Sequence, residues 1–193
     1  MKTLKPGIIN TWFPKSVYVA DSVALDSLSI LERTIKESSS LANRTGMQQV
    51  NSSHILDDQL FNRPEFSVLV EEVMFHSLQY LHALGYSDEQ IASMRMTEMW
   101  SNISYENDYL FPHHHSGSMI SGAFYVKTLP NSKLRFFADP DMAKRPHTYN
   151  ELNYQYCQYE CIPGRLLLFK SNFIHGVDRQ ASGEKIVISF NIG

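Results

Sequence analysis

The sequence predicts an α+β fold in which a mainly helical front half, residues 1–95, packs on a β-rich back half, residues 96–193, within one domain spanning 1–193. Three observations point there. Apolar residues recur at helical spacing before Met96. After it the apolar runs are short, β-branched and aromatic, and are separated by Gly, Pro, Asn and Asp. No helical pattern interrupts those runs, which favours an antiparallel barrel or sandwich over a parallel sheet.

The elements follow in order. Asp21 or Ser22 is positioned to cap a helix through VALDSLSILERTIKESSSLA, with Leu25, Leu28, Ile30 and Leu31 as its apolar stripe. The next stretch, RTGMQQVNSSHILDDQLFNRPE, is polar and broken by Gly46 and Pro64, and reads as loop with short pieces of structure. FSVLVEEVMFHSLQYLHALGY carries Phe66, Leu69, Val70, Val73, Leu78 and Leu81 at helical spacing, with Gly85 where a C-terminal cap belongs. Ser87 with Gln90 three residues on is a capping-box pattern that predicts a further short helix. The predicted strands are TEMWSNIS, SMISGAFYVKT, KLRFFAD, GRLLLFK and KIVISFNIG.

Composition excludes several classes. The chain has 193 residues, 43% hydrophobic and 19% charged, as expected of a globular domain able to bury a core. A net charge of −3 without basic blocks argues against a nucleic-acid or anionic-membrane binder. No apolar run has the length of a membrane span. The start, MKTLKPGIINTWFPK, lacks an apolar signal core, so the expected compartment is cytoplasmic. Cys157 and Cys161, four residues apart, are expected to be free thiols.

Chemistry concentrates in PHHHSGSMISGAFYV, residues 112–126. On an extended segment His113 and His115 point the same way and His114 the other. Two imidazoles at that spacing suit adjacent positions on one metal, and His175, between two predicted strands, offers a third. A histidine cluster on an exposed strand needs no ligand role, and both readings stand at this point. In the last strand Ile186, Ile188, Phe190 and Ile192 share one face, while Lys185, Val187, Ser189 and Asn191 share the other. The second face is polar enough to line a cavity, where Lys185 offers a cation to a carboxylate. Tyr125 shares parity with His115; it is either a cavity hydroxyl or an aromatic of the strand core. Asn102 and Asn191 either bracket the site or satisfy strand ends, Trp100 is expected to anchor the core, and Asp139 belongs to a turn.

The segments WSN, HHHSGSMISGAFYV, PGRLLLFKSNFIHGV and EKIVISFNIG resemble a family of 2-oxoglutarate/Fe(II) oxygenases found in marine bacteria and their phages. The resemblance covers residues 97–193 well and the front half loosely. It implies a double-stranded β-helix (a jelly roll, cupin-like) related to prolyl hydroxylases, with iron at one mouth of the barrel. It further implies Fe(II) held by His113, His115 and His175. Lys185 would then bind the far carboxylate of 2-oxoglutarate, with Tyr125, Ser189 and Asn191 as further co-substrate contacts. His115 stands where the wider superfamily has Asp or Glu, which leaves the metal one negative charge short; Asp108 and Glu106 are the nearby carboxylates in sequence.

The implied activity is oxidation of a small-molecule or peptidyl substrate by O2, with 2-oxoglutarate going to succinate, and segments 41–60 and 141–160 as a substrate lid. Open sheet edges make a homodimer one expected assembly. Two rivals differ in class: a cupin-like three-histidine metal protein that does not use 2-oxoglutarate, and a non-catalytic β-sandwich in which the histidines are incidental. Lys185 separates the first rival from the oxygenase, and stoichiometric metal binding separates the second.

Overall fold

The structure is a computed structural model describing residues 8–11, 13–38, 41–44, 48–139 and 146–193. In chain order, β1 (Val17–Ala20) leads through a 3-10 turn into α1 (Leu28–Lys36), followed by the hairpin β2 (Ala42–Arg44) and β3 (Gln48–Ser52). Then come α2 (Ser67–Ala83), α3 (Asp88–Ile91), β4 (Met96–Ser104), β5 (Tyr109–His113) and β6 (Ile120–Lys127). The chain ends with β7 (Lys133–Phe137), β8 (Tyr156–Glu160), β9 (Leu166–Lys170), β10 (His175–Val177) and β11 (Lys185–Ile192).

All strand pairings between these elements are antiparallel, in the order β1-β9-β6-β11-β4-β3-β5-β10-β7-β8, with β2 paired to β3. This is a curled jelly-roll barrel made of a major wall (β1, β9, β6, β11, β4) and a minor wall (β5, β10, β7, β8). β3 joins them: Asn51 and Ser52 pair with β4, while Gln48 and Gln49 pair with β5.

The period-two pattern of β11 divides the interior. Ile186, Ile188, Phe190 and Ile192 are fully buried on the outer face of the major wall. There they join Phe124 and Val126 of β6, Leu166 and Leu168 of β9, and Met99 and Ile103 of β4. The helices cover this face with Leu31 and Ile35 from α1 and Leu69, Val73, Tyr80 and Leu81 from α2. A fully buried aliphatic or aromatic side chain contributes about 1.5–3 kcal/mol relative to exposure, so this layer is the main adhesive between helices and sheet. The inner face packs Tyr125, Leu134, Phe136, Leu167, Phe169 and Phe173 beside a cavity. Gly122 exists because β6 crosses Phe190 so closely that a Cβ there would fall inside the ring.

α2 ends where its sequence says it must. Gly85 has φ +89 and Tyr86 N–H donates to Leu81 C=O at 3.1 Å, closing the helix. Ser87 and Gln90 form the reciprocal capping box of α3.

Three expectations change. The first helix begins at Leu28, because Ser22 and Ala24 take positive φ and the chain turns before coiling. Asp21 caps nothing; it pairs with Arg165 at 2.6 Å, and the free Ala24 N–H is taken by the Glu72 carboxylate at 3.0 Å. Leu25 and Ile30 of the proposed stripe are consequently 48% and 37% exposed, whereas Leu31 and Ile35 carry the contact. The front half is also less helical than its pattern: β1, β2 and β3 join the sheet, so residues 41–60 are partly barrel wall rather than lid. Of the other lid segment, 141–145 lie outside the described residues, and 146–155 form no strand or helix. Cys157 and Cys161 are free thiols, exposed and buried respectively.

Candidate active site

His113 ends β5 and His175 begins β10, and the two are register partners on the minor wall. Their rings lie 4.5 Å apart. His115 follows two residues after His113 and is tethered by its N–H to Ser171 C=O at 2.9 Å. Its ring is 5.4 Å from His113 and 5.3 Å from His175. One ligand atom from each of the three lies within 4.8 Å of the others, and this is the one such group of His, Cys, Asp or Glu among the described residues. His114 is exposed and outside the group, as the strand alternation requires.

The donor chemistry suits a divalent transition metal. Nδ1 of His113 faces Phe111 C=O at 2.8 Å, and Nδ1 of His175 faces Phe173 C=O at 2.8 Å. A carbonyl only accepts, so each Nδ1 carries the proton and each Nε2 keeps a lone pair for a metal. Burial, reinforced by the neighbouring imidazoles, lowers the pKa of His115 to about 4 and of His175 to about 3, so both are neutral near pH 7. Among the described residues no carboxylate joins them: Asp108 accepts from Tyr105 N–H at 2.7 Å and shapes the β4–β5 turn, and neither it nor Glu106 belongs to the cluster.

The cluster opens on a cavity of about 400 Å³ whose major-wall side is β4 and β11. From β11 it is lined by Lys185, Val187, Ser189 and Asn191, the polar face read from the sequence. Lys185 is 2% exposed, donates to Ser132 Oγ at 3.2 Å, and has no carboxylate partner among the described residues. Burial lowers its pKa, with the Cys161 thiol acting in the opposite direction. Tyr125 is also buried against the cavity, and its hydroxyl has no hydrogen-bond partner in good geometry among the described residues. Desolvation, reinforced by the neighbouring Cys161 side chain, holds its pKa well above 10, so it stays a neutral donor. A buried cation and a buried orphan hydroxyl on one side of a cavity fit a ligand carboxylate.

Ser189 and Asn191 line the same cavity but already have protein partners. Ser189 Oγ accepts from Asn102 Nδ2 at 3.2 Å. Asn191 Nδ2 donates to the Glu98 carboxylate, and its Oδ1 accepts from Ser121 Oγ at 2.7 Å. Trp100 is 5% exposed, but it is a cavity wall rather than a core anchor: it stacks on His54 at 4.1 Å and on His115 at 5.7 Å. Sequence reading missed Glu98 and His54. Glu98 shares the even-numbered face of β4 with Trp100 and Asn102, so its parity was a usable signal. His54 sits in a turn after β3 and had none.

Residues 98–191 match the family profile described as "Putative 2OG-Fe(II) oxygenase". No curated protein sequence matches the chain. Among solved structures the fold is similar to a Pseudomonas putida prolyl-4-hydroxylase, with TM-score 0.64, 14% identity and 92% of each chain covered. It is also similar to the viral collagen prolyl hydroxylase of Paramecium bursaria Chlorella virus-1 in its 2-oxoglutarate complex, with TM-score 0.60, 10% identity, and coverage of 91% of this chain and 94% of that one. A third is HygX from Streptomyces hygroscopicus with nickel and 2-oxoglutarate bound: TM-score 0.61, 12% identity, 93% of this chain and 83% of that one.

Proposed function

Since residues 98–191 belong to the 2-oxoglutarate/Fe(II) oxygenase family, we propose that His113, His115 and His175 hold Fe(II) and that Lys185 and Tyr125 receive the far carboxylate of 2-oxoglutarate. The observation that carries this reading is the pairing, in one cavity, of three imidazoles whose ligand atoms lie within 4.8 Å of one another and a buried lysine with no carboxylate partner among the described residues. Fe(II) and 2-oxoglutarate, when bound, supply the O2 activation and the oxidation of substrate.

The chain's own residues do the rest. Phe111 and Phe173 carbonyls fix the tautomers of two ligands. Burial keeps His115 and His175 unprotonated, so protons do not compete with the metal. The three-histidine set brings no negative charge, so the dianionic co-substrate is the main counter-charge to Fe(II), which couples co-substrate binding to metal binding. Lys185 keeps its proton available to the far carboxylate through the Ser132 hydroxyl, itself donating to Gln180 Oε1 at 3.0 Å. Phe169, Leu134 and Val187 line the cavity with apolar surface that excludes water. Asn191 and Ser189, expected to touch the co-substrate, act in this reading on Glu98 and Asn102 instead.

The substrate class is small-molecule or peptidyl, in keeping with the cavity's size and the chain's negative net charge, which does not attract nucleic acid. Among the described residues no helix is long and apolar enough to cross a membrane, and the proposed compartment is the cytoplasm. The test is anaerobic titration of tag-free protein with Fe(II) and then 2-oxoglutarate, read by the weak visible charge-transfer band of the chelate. A band in the wild type that His175→Ala removes and Lys185→Ala weakens supports the proposal. Stoichiometric iron without the band assigns the site to a metal protein that does not use 2-oxoglutarate, and no metal binding overturns the assignment of all three histidines.

A further inference from the structure

The cavity carries charge at both ends. On the β4–β11 ladder Ser104 pairs with Lys185 and Glu98 pairs with Asn191. The six residue steps from Lys185 to Asn191 span about 20 Å at roughly 3.3 Å per residue. Lys185 is 2% exposed, so its end is closed; Glu98 is half-buried, so its end is open. Trp100 and the His115 ring stacked on it lie between the two.

Glu98 is held in place with unusual care for a carboxylate at a cavity mouth. Asn191, 3% exposed, donates Nδ2 to it. Facing a carboxylate, that nitrogen must donate, which fixes Asn191 Oδ1 toward the Ser121 hydroxyl at 2.7 Å. Ser121 lies 2.9 Å from the Ser171 hydroxyl, and both serines are 1% exposed. A chain of three buried polar side chains, Ser171 just past β9, Ser121 on β6 and Asn191 on β11, thus ends on one carboxylate, which Asn191 alone touches. Yet Glu98 makes no ion pair with any Lys, Arg or His among the described residues. A pre-positioned acid without a cation, in a substrate-sized cavity, is a recognition group for a cation from outside.

We propose that Glu98 selects a substrate bearing an amine or guanidinium group and docks that group at the cavity mouth. The inference rests on the oxygenase reading of the cavity and names its substrate class. Glu98 precedes Trp100 by two residues, about 7 Å along a strand. Trp100, clamped between His54 and His115, spaces the docked cation from the histidine cluster, so the oxidised carbon lies several bonds from the charge, as on a lysine- or arginine-like side chain.

The test uses two probes of equal length, Nα-acetyl-L-lysine N-methylamide and its neutral isostere built on L-2-aminoheptanoic acid. Each is titrated calorimetrically into the full chain, with and without Fe(II) and 2-oxoglutarate under anaerobic conditions. The variant is Glu98→Gln, whose amide oxygen still accepts from Asn191. Wild type should bind the lysine probe about tenfold tighter than the isostere, the size expected of a hydrogen bond to a charged group. Glu98→Gln should erase that preference while the chelate band stays unchanged. Equal binding of the two probes, no binding of the lysine probe at millimolar concentration, or a preference that survives Glu98→Gln overturns the proposal. A chelate band without the preference sinks the Glu98 inference alone; the preference without the band sinks the oxygenase reading and leaves a cation site.

Discussion

His113 and His175 face each other as register partners across β5 and β10, and each turns Nδ1 onto the carbonyl two residues before it. The same local device therefore operates twice on neighbouring strands. The Phe111 carbonyl within β5 and the Phe173 carbonyl in the turn before β10 each anchor an imidazole through Nδ1, leaving Nε2 free. Removing His175 deletes one donor and unbalances the pair. His175→Ala is expected to weaken Fe(II) binding by more than about 100-fold, beyond the 10–100-fold typical of losing an outer-shell partner. His114→Ala should leave it unchanged, and chelator competition under argon measures both.

Lys185 gives a separable loss. Lys185→Ala should reduce 2-oxoglutarate affinity about 10–100-fold, the equivalent of one charge-assisted contact, while Fe(II) affinity stays within about twofold. Because burial lowers the folded-state pKa, the free protein gives up this proton at a lower pH than an exposed lysine. Co-substrate affinity should then fall as pH rises, before the usual lysine value of 10.5 is reached. The sign for stability is opposite: the cost of the buried charge is present at neutral pH and is relieved as pH climbs through the lowered pKa. Lys185→Arg, which keeps its charge, should flatten the affinity profile measured by calorimetry from pH 7 upward.

Trp100 provides an optical reporter. Its ring stacks on His115 at 5.7 Å, so a redox-active ion at the cluster lies within quenching range. Adding Fe(II) should quench tryptophan emission. The sequence has two tryptophans. Trp100→Phe should remove the part of the quench that its ring reports, at unchanged Fe(II) affinity.

Two glycines report on two different functions. Gly122→Ala drives a methyl into the Phe190 ring in the packed outer layer. Overpacking of that kind costs about 1–3 kcal/mol, or roughly 2–12 °C of Tm for a chain of this size. Gly176 lies beside His175, where a Cβ would meet Leu110 O at 2.8 Å and Pro112 N at 3.1 Å. Those are backbone atoms of the strand that carries His113, so Gly176→Ala should spread the ligand pair. Fe(II) affinity should drop at least tenfold, with a smaller change in Tm than Gly122→Ala produces.

Much of this was legible before any coordinates. The two faces of β11 separated cleanly because period two is robust in a long strand buried on one side. His113, His115 and His175 came from spacing and from family resemblance together. What escaped notice was non-local. β3 has a polar, Gly-flanked sequence that looks like loop, and it is a strand because two sheet edges claim its backbone. Trp100 read as core because bulk and apolarity favour burial; only the stacked His54 and His115 reveal it as a wall. The cavity-facing side of Asn191 is legible from period two, but its contact with Glu98, ninety-three positions away, is not.

The way the barrel is divided has a consequence for how such a protein diversifies. His113 and His175 belong to the minor wall, and the groups proposed to face a ligand's charges, Lys185, Tyr125 and Glu98, belong to the major wall. Drift along β4, β6 or β11 can exchange one acid or one amine for another without disturbing the paired imidazoles. A lineage built on this plan inherits its metal from one set of strands and negotiates its chemistry on the other.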